Sequence, residues 1–124
     1  MRPRAYDNAT FAVEDGRMVM QVTPATGAPY RHACPLADLE TIAHELDEDT
    51  AGGTTRERLH ERTGIAWTRI NVALRFLDER SIVNHAGKRG RLYVPATGSV
   101  YLDALTEYHT LREGAPGSIG MGGD

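Results

Sequence analysis

The chain has one cysteine, Cys34, among its 124 residues, and it has no long apolar run. One cysteine excludes an internal disulfide framework and is typical of a protein in a reducing compartment. No stretch approaches the roughly 20 apolar residues that a transmembrane helix needs, and the polar N-terminus does not resemble a signal peptide. We therefore expect a cytoplasmic protein that has no membrane partner.

Residue patterns that carry enzyme chemistry are also scarce. No paired carboxylates, Ser-His-Asp set or glycine-rich phosphate loop stand out. His32, Cys34 and His44 fall short of the four ligands that a structural zinc site takes. Cys34 precedes a predicted helix, whose dipole can activate a thiol for oxidation, but a small buried cysteine is the commoner arrangement. We expect a protein that is not an enzyme and has no metal and no cofactor.

Charge is distributed unevenly along a chain whose length predicts one domain. The net charge is −3, yet residues 54–91 hold nine basic and four acidic side chains. That segment therefore carries +5 and the remainder carries −8. Because a polyanion responds to the local patch more than to the total, a basic segment in an acidic frame is compatible with nucleic-acid binding.

Hydrophobic periodicity predicts a β-hairpin, three helices, a second hairpin and a last helix. Asp15-Gly16 signals a tight turn between alternating strands in residues 10–23. Thr54 or Thr55 is suited to cap the second helix, and Gly64 to end it. The predicted helices cover residues 35–46, about 55–63, about 66–80 and about 97–113, and strands at 81–84 and 91–94 flank a basic turn.

Two segments, TTRERLHERTGIAWTRINVALRFLDERSIV and GKRGRLYV, resemble the winged helix-turn-helix domain of bacterial and archaeal transcription regulators, broadly of the MarR type. The resemblance covers about residues 35–113. It implies an α+β, mainly α, fold with a three-helix core and a two-stranded wing, to which this chain adds an N-terminal β-hairpin and a C-terminal helix. The expected organisation is an arm and hairpin at 1–30, the winged-helix domain with its C-terminal helix at 31–113, and a flexible tail at 114–124.

The resemblance also implies a sequence-specific protein that binds double-stranded DNA and regulates transcription. Helix 66–80 is expected to read the major groove, where Arg pairs with guanine and Asn with adenine. The alternative for these side chains is a solvated helix face whose arginines pair with nearby acids. The expected base-reading residues are Trp67, Thr68, Arg69, Asn71, Val72 and Arg75. The expected phosphate-contacting residues are Thr55, Arg56, Arg58, Lys88, Arg89 and Arg91.

The last helix has a broad apolar stripe that either covers the first helix or pairs with its copy, and we expect a homodimer. The stripe consists of Val100, Tyr101, Ala104, Leu105, Tyr108 and Leu111. A rival function is a winged-helix module that binds another protein as an adaptor. The net acidity, an Ala66 that cannot cap helix 66–80, and the large Trp67 at its leading edge favour this rival.

Overall fold

The computed structural model describes residues 8–114. The predicted N-terminal arm at 1–7 and the predicted tail beyond Gly114 lie outside the described residues. The strands are β1 (Asn8–Glu14), β2 (Arg17–Thr23), β3 (Tyr30–Pro35), β4 (Val83–Ala86) and β5 (Leu92–Pro95). The helices are α1 (Leu36–Glu48), α2 (Arg56–Thr63), α3 (Trp67–Glu79) and α4 (Val100–Gly114), and a 3₁₀ turn spans Lys88–Gly90. The prediction of an α+β fold with four helices is confirmed.

The N-terminal part is an antiparallel sheet in the order β1-β2-β3. Asp15 and Gly16 both take positive φ, as the two central residues of a type I′ hairpin turn require. The predicted hairpin is confirmed, but the sequence analysis did not predict β3. In the register, Met18 of β2 lies opposite Cys34 of β3, so the last strand brings the only cysteine to the inner face of the sheet.

The helical part begins where β3 ends. Pro35 is the last residue of β3 and precedes α1, so the helix starts one position later than the predicted start at residue 35. The Thr55 hydroxyl accepts a hydrogen bond from the Arg58 N–H and caps α2. Gly64 ends α2 with φ 73°, and its N–H donates to the His60 carbonyl. Both predicted helix-boundary residues of α2 are confirmed, and a short turn leads from there into α3.

One hydrophobic core joins the sheet to the helices. Helix α3 is buried on two sides, because it packs on α1 and α2 and also on β2 and β3. The Phe76 ring of α3 meets the Phe11 ring of β1 edge to face, with centroids 5.5 Å apart. The N-terminal sheet and the helices therefore share one core.

The strands β4 and β5 form a second hairpin after α3. It is held to the loop before α2 by a backbone bridge, since Thr54 and Tyr93 exchange two N–H···O bonds of 3.0 and 2.7 Å. Strand β4 starts two residues later than predicted, because Ser81 adopts a φ of 61° in a turn that continues from α3, and β5 starts one residue later than predicted. No helix among residues 8–114 has the length and apolarity to cross a membrane.

Candidate nucleic-acid interface

A narrow strip of α3 faces solvent. Successive residues of an α-helix are about 100° apart, so positions 68, 71, 75 and 78 fall on one side. Thr68, Arg75 and Asp78 are exposed there and Asn71 is half-buried. We call these four residues the α3 strip. It contains three of the six predicted base-reading residues and ends on an acidic side chain.

The prediction that Val72 faces the groove is wrong. Its side chain is fully buried, as is that of Phe76 one turn later. These two residues form a second apolar stripe on α3, and the N-terminal sheet covers it. Val72 was expected to face the groove because the sequence did not predict that the N-terminal sheet packs on this helix.

Arg69 lies away from the strip, contrary to the prediction that it shares a face with Arg75. Six residues of helix separate the two by about 240°, which leaves them about 120° apart around the axis. The Arg69 guanidinium is 2.9 Å from a carboxylate oxygen of Asp38 on α1. Arg69 is therefore engaged in an ion pair within the chain, as the alternative reading of these arginines expected, although with a more distant acid.

Trp67 stands at the leading end of α3 with 45% of its surface exposed. Its ring stacks on His60 of α2 at 4.2 Å between centroids and an interplanar angle of 22°. His60 is itself fixed, since its Nδ1 lies 2.8 Å from the Ile65 carbonyl and can donate to it. Ala66 provides no side-chain cap for α3. The stacked rings of Trp67 and His60 therefore lie at the start of α3, where a polar capping side chain is usual.

Helix α2 adds cations beside the strip. The Arg56 guanidinium donates to the Asn71 side-chain oxygen at 2.9 Å, which fixes the amide and leaves its NH₂ group as the outward donor. Arg58, two residues further along α2, is also exposed. The Thr55 hydroxyl accepts the capping bond but retains its own hydrogen to donate.

The hairpin tip carries three more exposed cations, Lys88, Arg89 and Arg91. Arg89 holds a left-handed backbone conformation with φ 62° in the 3₁₀ turn. Between this tip and α2 lies a cleft of about 210 Å³. Its lining is Arg56, Glu57, Arg89, Gly90, Arg91 and Tyr93. Three guanidinium groups against one carboxylate give the cleft a net positive charge.

Tyr93 contributes a neutral hydroxyl to that cleft. Burial raises its pKa above the ordinary value of 10.0, although Arg56 opposes the shift. The phenol therefore stays protonated at neutral pH and can donate a hydrogen bond to an anion.

A larger cleft of about 290 Å³ lies between the end of α1 and α2. Its lining includes the carboxylates of Glu45, Glu48 and Asp49 together with Arg58 and Arg62, and Arg62 is paired with Glu45 at 2.6 Å. This mixed and mostly acidic lining does not suit a polyanion.

Ion pairing separates the basic residues of 54–91 into two groups. Arg62, Arg69 and Arg80 pair with carboxylates. Among residues 8–114, the other six basic residues of this segment have no carboxylate partner within ion-pairing distance. They are Arg56, Arg58, Arg75, Lys88, Arg89 and Arg91. These six cations belong to α2, the α3 strip and the hairpin tip, and each was among the predicted contact residues.

The predicted dimerisation residues fall into a buried group and a half-buried group. Val100, Ala104 and Tyr108 are buried within the chain's own core, so assigning them to a subunit interface is wrong. Tyr101 is half-buried and stacks on His44 of α1 at 4.1 Å. Leu105 and Leu111 are half-buried, while Leu102, which was not predicted, is 61% exposed. The homodimer itself stays a prediction.

Cys34 is fully buried, and burial raises its pKa from 9.0 to about 12, with a further rise caused by Asp38 and a smaller opposing effect of Arg69. A thiol in this state does not supply the reactive thiolate that an oxidant sensor needs. Within the part of the chain that the structure describes, no three His, Cys, Asp or Glu side chains are grouped as a metal site requires.

Comparison with protein-family models, with curated proteins and with solved structures finds no match for this chain.

Proposed function

We propose that this protein binds double-stranded DNA as a winged helix-turn-helix regulator of transcription. In this proposal α3 enters the major groove with the α3 strip facing the bases, α2 contacts phosphates, and the β4–β5 hairpin acts as the wing. The observation that carries the proposal is a set of cations that have no carboxylate partner among residues 8–114 and lie together. Arg56 contacts Asn71 of the α3 strip, which also carries Arg75, and Arg56 lines one cleft with Arg89 and Arg91 of the hairpin tip. Dispersed cations would be expected to pair with the acidic frame that surrounds them.

The order of elements supports the same proposal. Helix α1, the Thr54 bridge, α2, the Gly64 turn, α3 and the β4–β5 hairpin follow one another as in a winged helix. The Thr54–Tyr93 bridge holds the hairpin beside the first turn of α2. Phosphate contacts from α2 and from the hairpin tip can therefore act on one stretch of backbone.

The chemistry of the strip suits base edges. Arg75 is an exposed guanidinium that can pair bidentately with guanine O6 and N7. Asn71 presents its NH₂ group because Arg56 occupies its oxygen, so it is set to donate to a base acceptor. Thr68 adds a hydroxyl that can donate or accept. We assign base reading to these three residues, without Val72 and Arg69.

The test is the affinity for a labelled duplex, measured by fluorescence anisotropy across a salt titration. Arg89→Ala should weaken binding to every sequence and reduce the salt slope by about one unit, since it removes one phosphate contact. Arg75→Ala should instead cost about 1–3 kcal/mol of preference at a particular base pair. Arg17→Ala on β2 changes the charge equally and should leave binding unaltered, because it lies on the sheet away from the six cations. If Arg89→Ala and Arg75→Ala both bind as the wild type and Arg17→Ala do, the proposal fails.

A second candidate function is docking to a protein, which the half-exposed Trp67 ring favours. It predicts no duplex binding even at low salt, together with a change in Trp67 fluorescence when a protein partner is added. Duplex binding that disappears in Arg89→Ala would decide against it.

A further inference from the structure

His85 on β4 connects the hairpin to α3. Its Nε2 lies 2.9 Å from a carboxylate oxygen of Asp78, the last residue of the α3 strip. Its Nδ1 lies 3.0 Å from the Gly90 carbonyl in the 3₁₀ turn. The imidazole is thus held between the α3 strip and the cationic tip of the hairpin.

Both oxygens that face the ring accept hydrogen bonds and cannot donate them. A carbonyl is an acceptor only, and so is an ionised carboxylate. A neutral imidazole has one N–H and can satisfy only one of the two oxygens, while its other nitrogen turns a lone pair toward the second. The imidazolium has two N–H groups and satisfies both. Protonation therefore completes the connection, and deprotonation breaks one of its two hydrogen bonds.

The groups around the ring favour the imidazolium on balance, because the effects of Asp78 and the Gly90 carbonyl outweigh partial burial. Asp78 faces it from α3, Lys88 and Arg89 lie in the turn that supplies the Gly90 carbonyl, and the Tyr93 ring from β5 is 4.8 Å away. The hydrogen bond to Asp78 raises the pKa of His85 above 6.5, partial burial opposes the shift, and the Gly90 carbonyl adds to it.

A raised pKa in the folded state means that the stabilisation is complete below pH 6.5. It is then lost as the pH rises through the higher pKa of the folded protein. The connection should accordingly be strongest on the acidic side of neutral pH.

We propose that His85, Asp78 and the Gly90 carbonyl form a latch that holds the hairpin against α3 when His85 is protonated, and that opening it at higher pH weakens duplex binding. The second half of this inference rests on the proposed function, because it requires the hairpin and α3 to grip one duplex together. The first half concerns the protein alone.

The experiment follows the full chain by NMR and by duplex anisotropy from about pH 6 to about pH 9, the range that brackets the histidine transition. The ring nitrogens of His85 report its protonation, and the backbone amides of Lys88 to Gly90 report the position of the hairpin tip. Asp78→Asn provides the sharpest variant, since its amide can donate to the Nε2 of a neutral His85. His85→Gln removes the titration, and His44→Gln removes an exposed histidine elsewhere as the matched control.

The proposal expects the amides of the hairpin tip to follow the titration of His85 in the wild type and in His44→Gln. Asp78→Asn should keep the hairpin in place at the alkaline end. From the acidic to the alkaline end of the titration, the duplex affinity of the wild type should fall by about fivefold more than the affinity of His85→Gln. A fivefold difference corresponds to ~1 kcal/mol, since a tenfold difference is about 1.4 kcal/mol.

A pKa for His85 at or below 6.5, or tip amides that do not change, would overturn the latch. A second outcome is that the amides of the hairpin tip follow the titration of His85 but the duplex affinity changes equally in the wild type and in His85→Gln. This outcome would overturn the role of the latch in binding and leave the proposed function standing. Absence of duplex binding at every pH would instead refute the proposed function, and the NMR titration would still decide whether the latch exists.

Discussion

Replacing Asp47 with alanine should destabilise the protein by exposing the start of α4. The Asp47 carboxylate, at the end of α1, accepts hydrogen bonds from the N–H groups of Val100 and Tyr101 at 2.8 and 2.9 Å. The Ser99 hydroxyl accepts from the Leu102 N–H at 3.1 Å, and the Ser99 carbonyl from that of Asp103. Three of the four N–H groups that a helix start leaves unpaired are therefore satisfied by side chains, two of them by one residue 53 positions away, and the Asp103 N–H makes the first bond within the helix.

The magnitude follows from these bonds. A capping side chain contributes about 0.5–2 kcal/mol, and a carboxylate near a helix N-terminus adds up to about 1 kcal/mol at an exposed site. Because Asp47 is exposed, water replaces it in part, so we expect Asp47→Ala to lower the free energy of unfolding by about 1–2 kcal/mol. Asp47→Asn keeps one acceptor oxygen and should lose about half as much.

Urea unfolding followed by circular dichroism provides the assay, and thermal unfolding should show a fall in Tm of about 4 °C per kcal/mol for a domain of this size. Glu48→Ala is the matched control, because it removes a neighbouring exposed acid that makes no hydrogen bond among residues 8–114. If Asp47→Ala and Glu48→Ala unfold at the same urea concentration, the capping role of Asp47 is refuted.

Three other perturbations test the packing. Phe76→Ala should lower the free energy of unfolding by about 3–5 kcal/mol in a urea titration, since it removes the ring that packs against Phe11 and leaves a cavity. A loss below about 1 kcal/mol would contradict the burial of α3 against the sheet. Gly53→Ala should destabilise more than Gly52→Ala in the same titration, because a Cβ at Gly53 would lie 3.0 Å from the side chains of Leu92 and Val94, whereas a Cβ at Gly52 meets nothing within 4 Å; equal losses would contradict this. Cys34 should react with iodoacetamide at about pH 8 only after unfolding, as its raised pKa and burial require, and rapid alkylation of the native protein would show an open site.

Local conformational chemistry made part of the fold predictable. Asp15-Gly16, Thr55 and Gly64 act within a few residues of the chain, and each took the conformation that its residue type favours. The sequence also indicated a basic surface, because it concentrates positive charge in residues 54–91, but it did not indicate which of those cations pair with a carboxylate.

Long-range partners made the rest unpredictable. Val72 was assigned to the groove because the strand that covers it lies about 40 positions earlier and was not predicted. Arg69 was assigned there as well, since its partner Asp38 is 31 residues away. One signal was present in the sequence: Val72 and Phe76 are four residues apart, the spacing of a second buried stripe on α3. A helix with two apolar stripes needs packing partners on both sides. The spacing of Val72 and Phe76 therefore indicates that a further element covers α3.

The central claim is that one surface of α2, α3 and the hairpin binds duplex DNA. The most direct measurement is the change in backbone amide chemical shifts when a short duplex is added to the labelled full chain. The account predicts changes concentrated at Thr68, Asn71 and Arg75 and at residues 88–91, with β1 and the outer face of β2 unchanged. Changes confined to α4 or to the N-terminal sheet, or no changes at low salt, would contradict it.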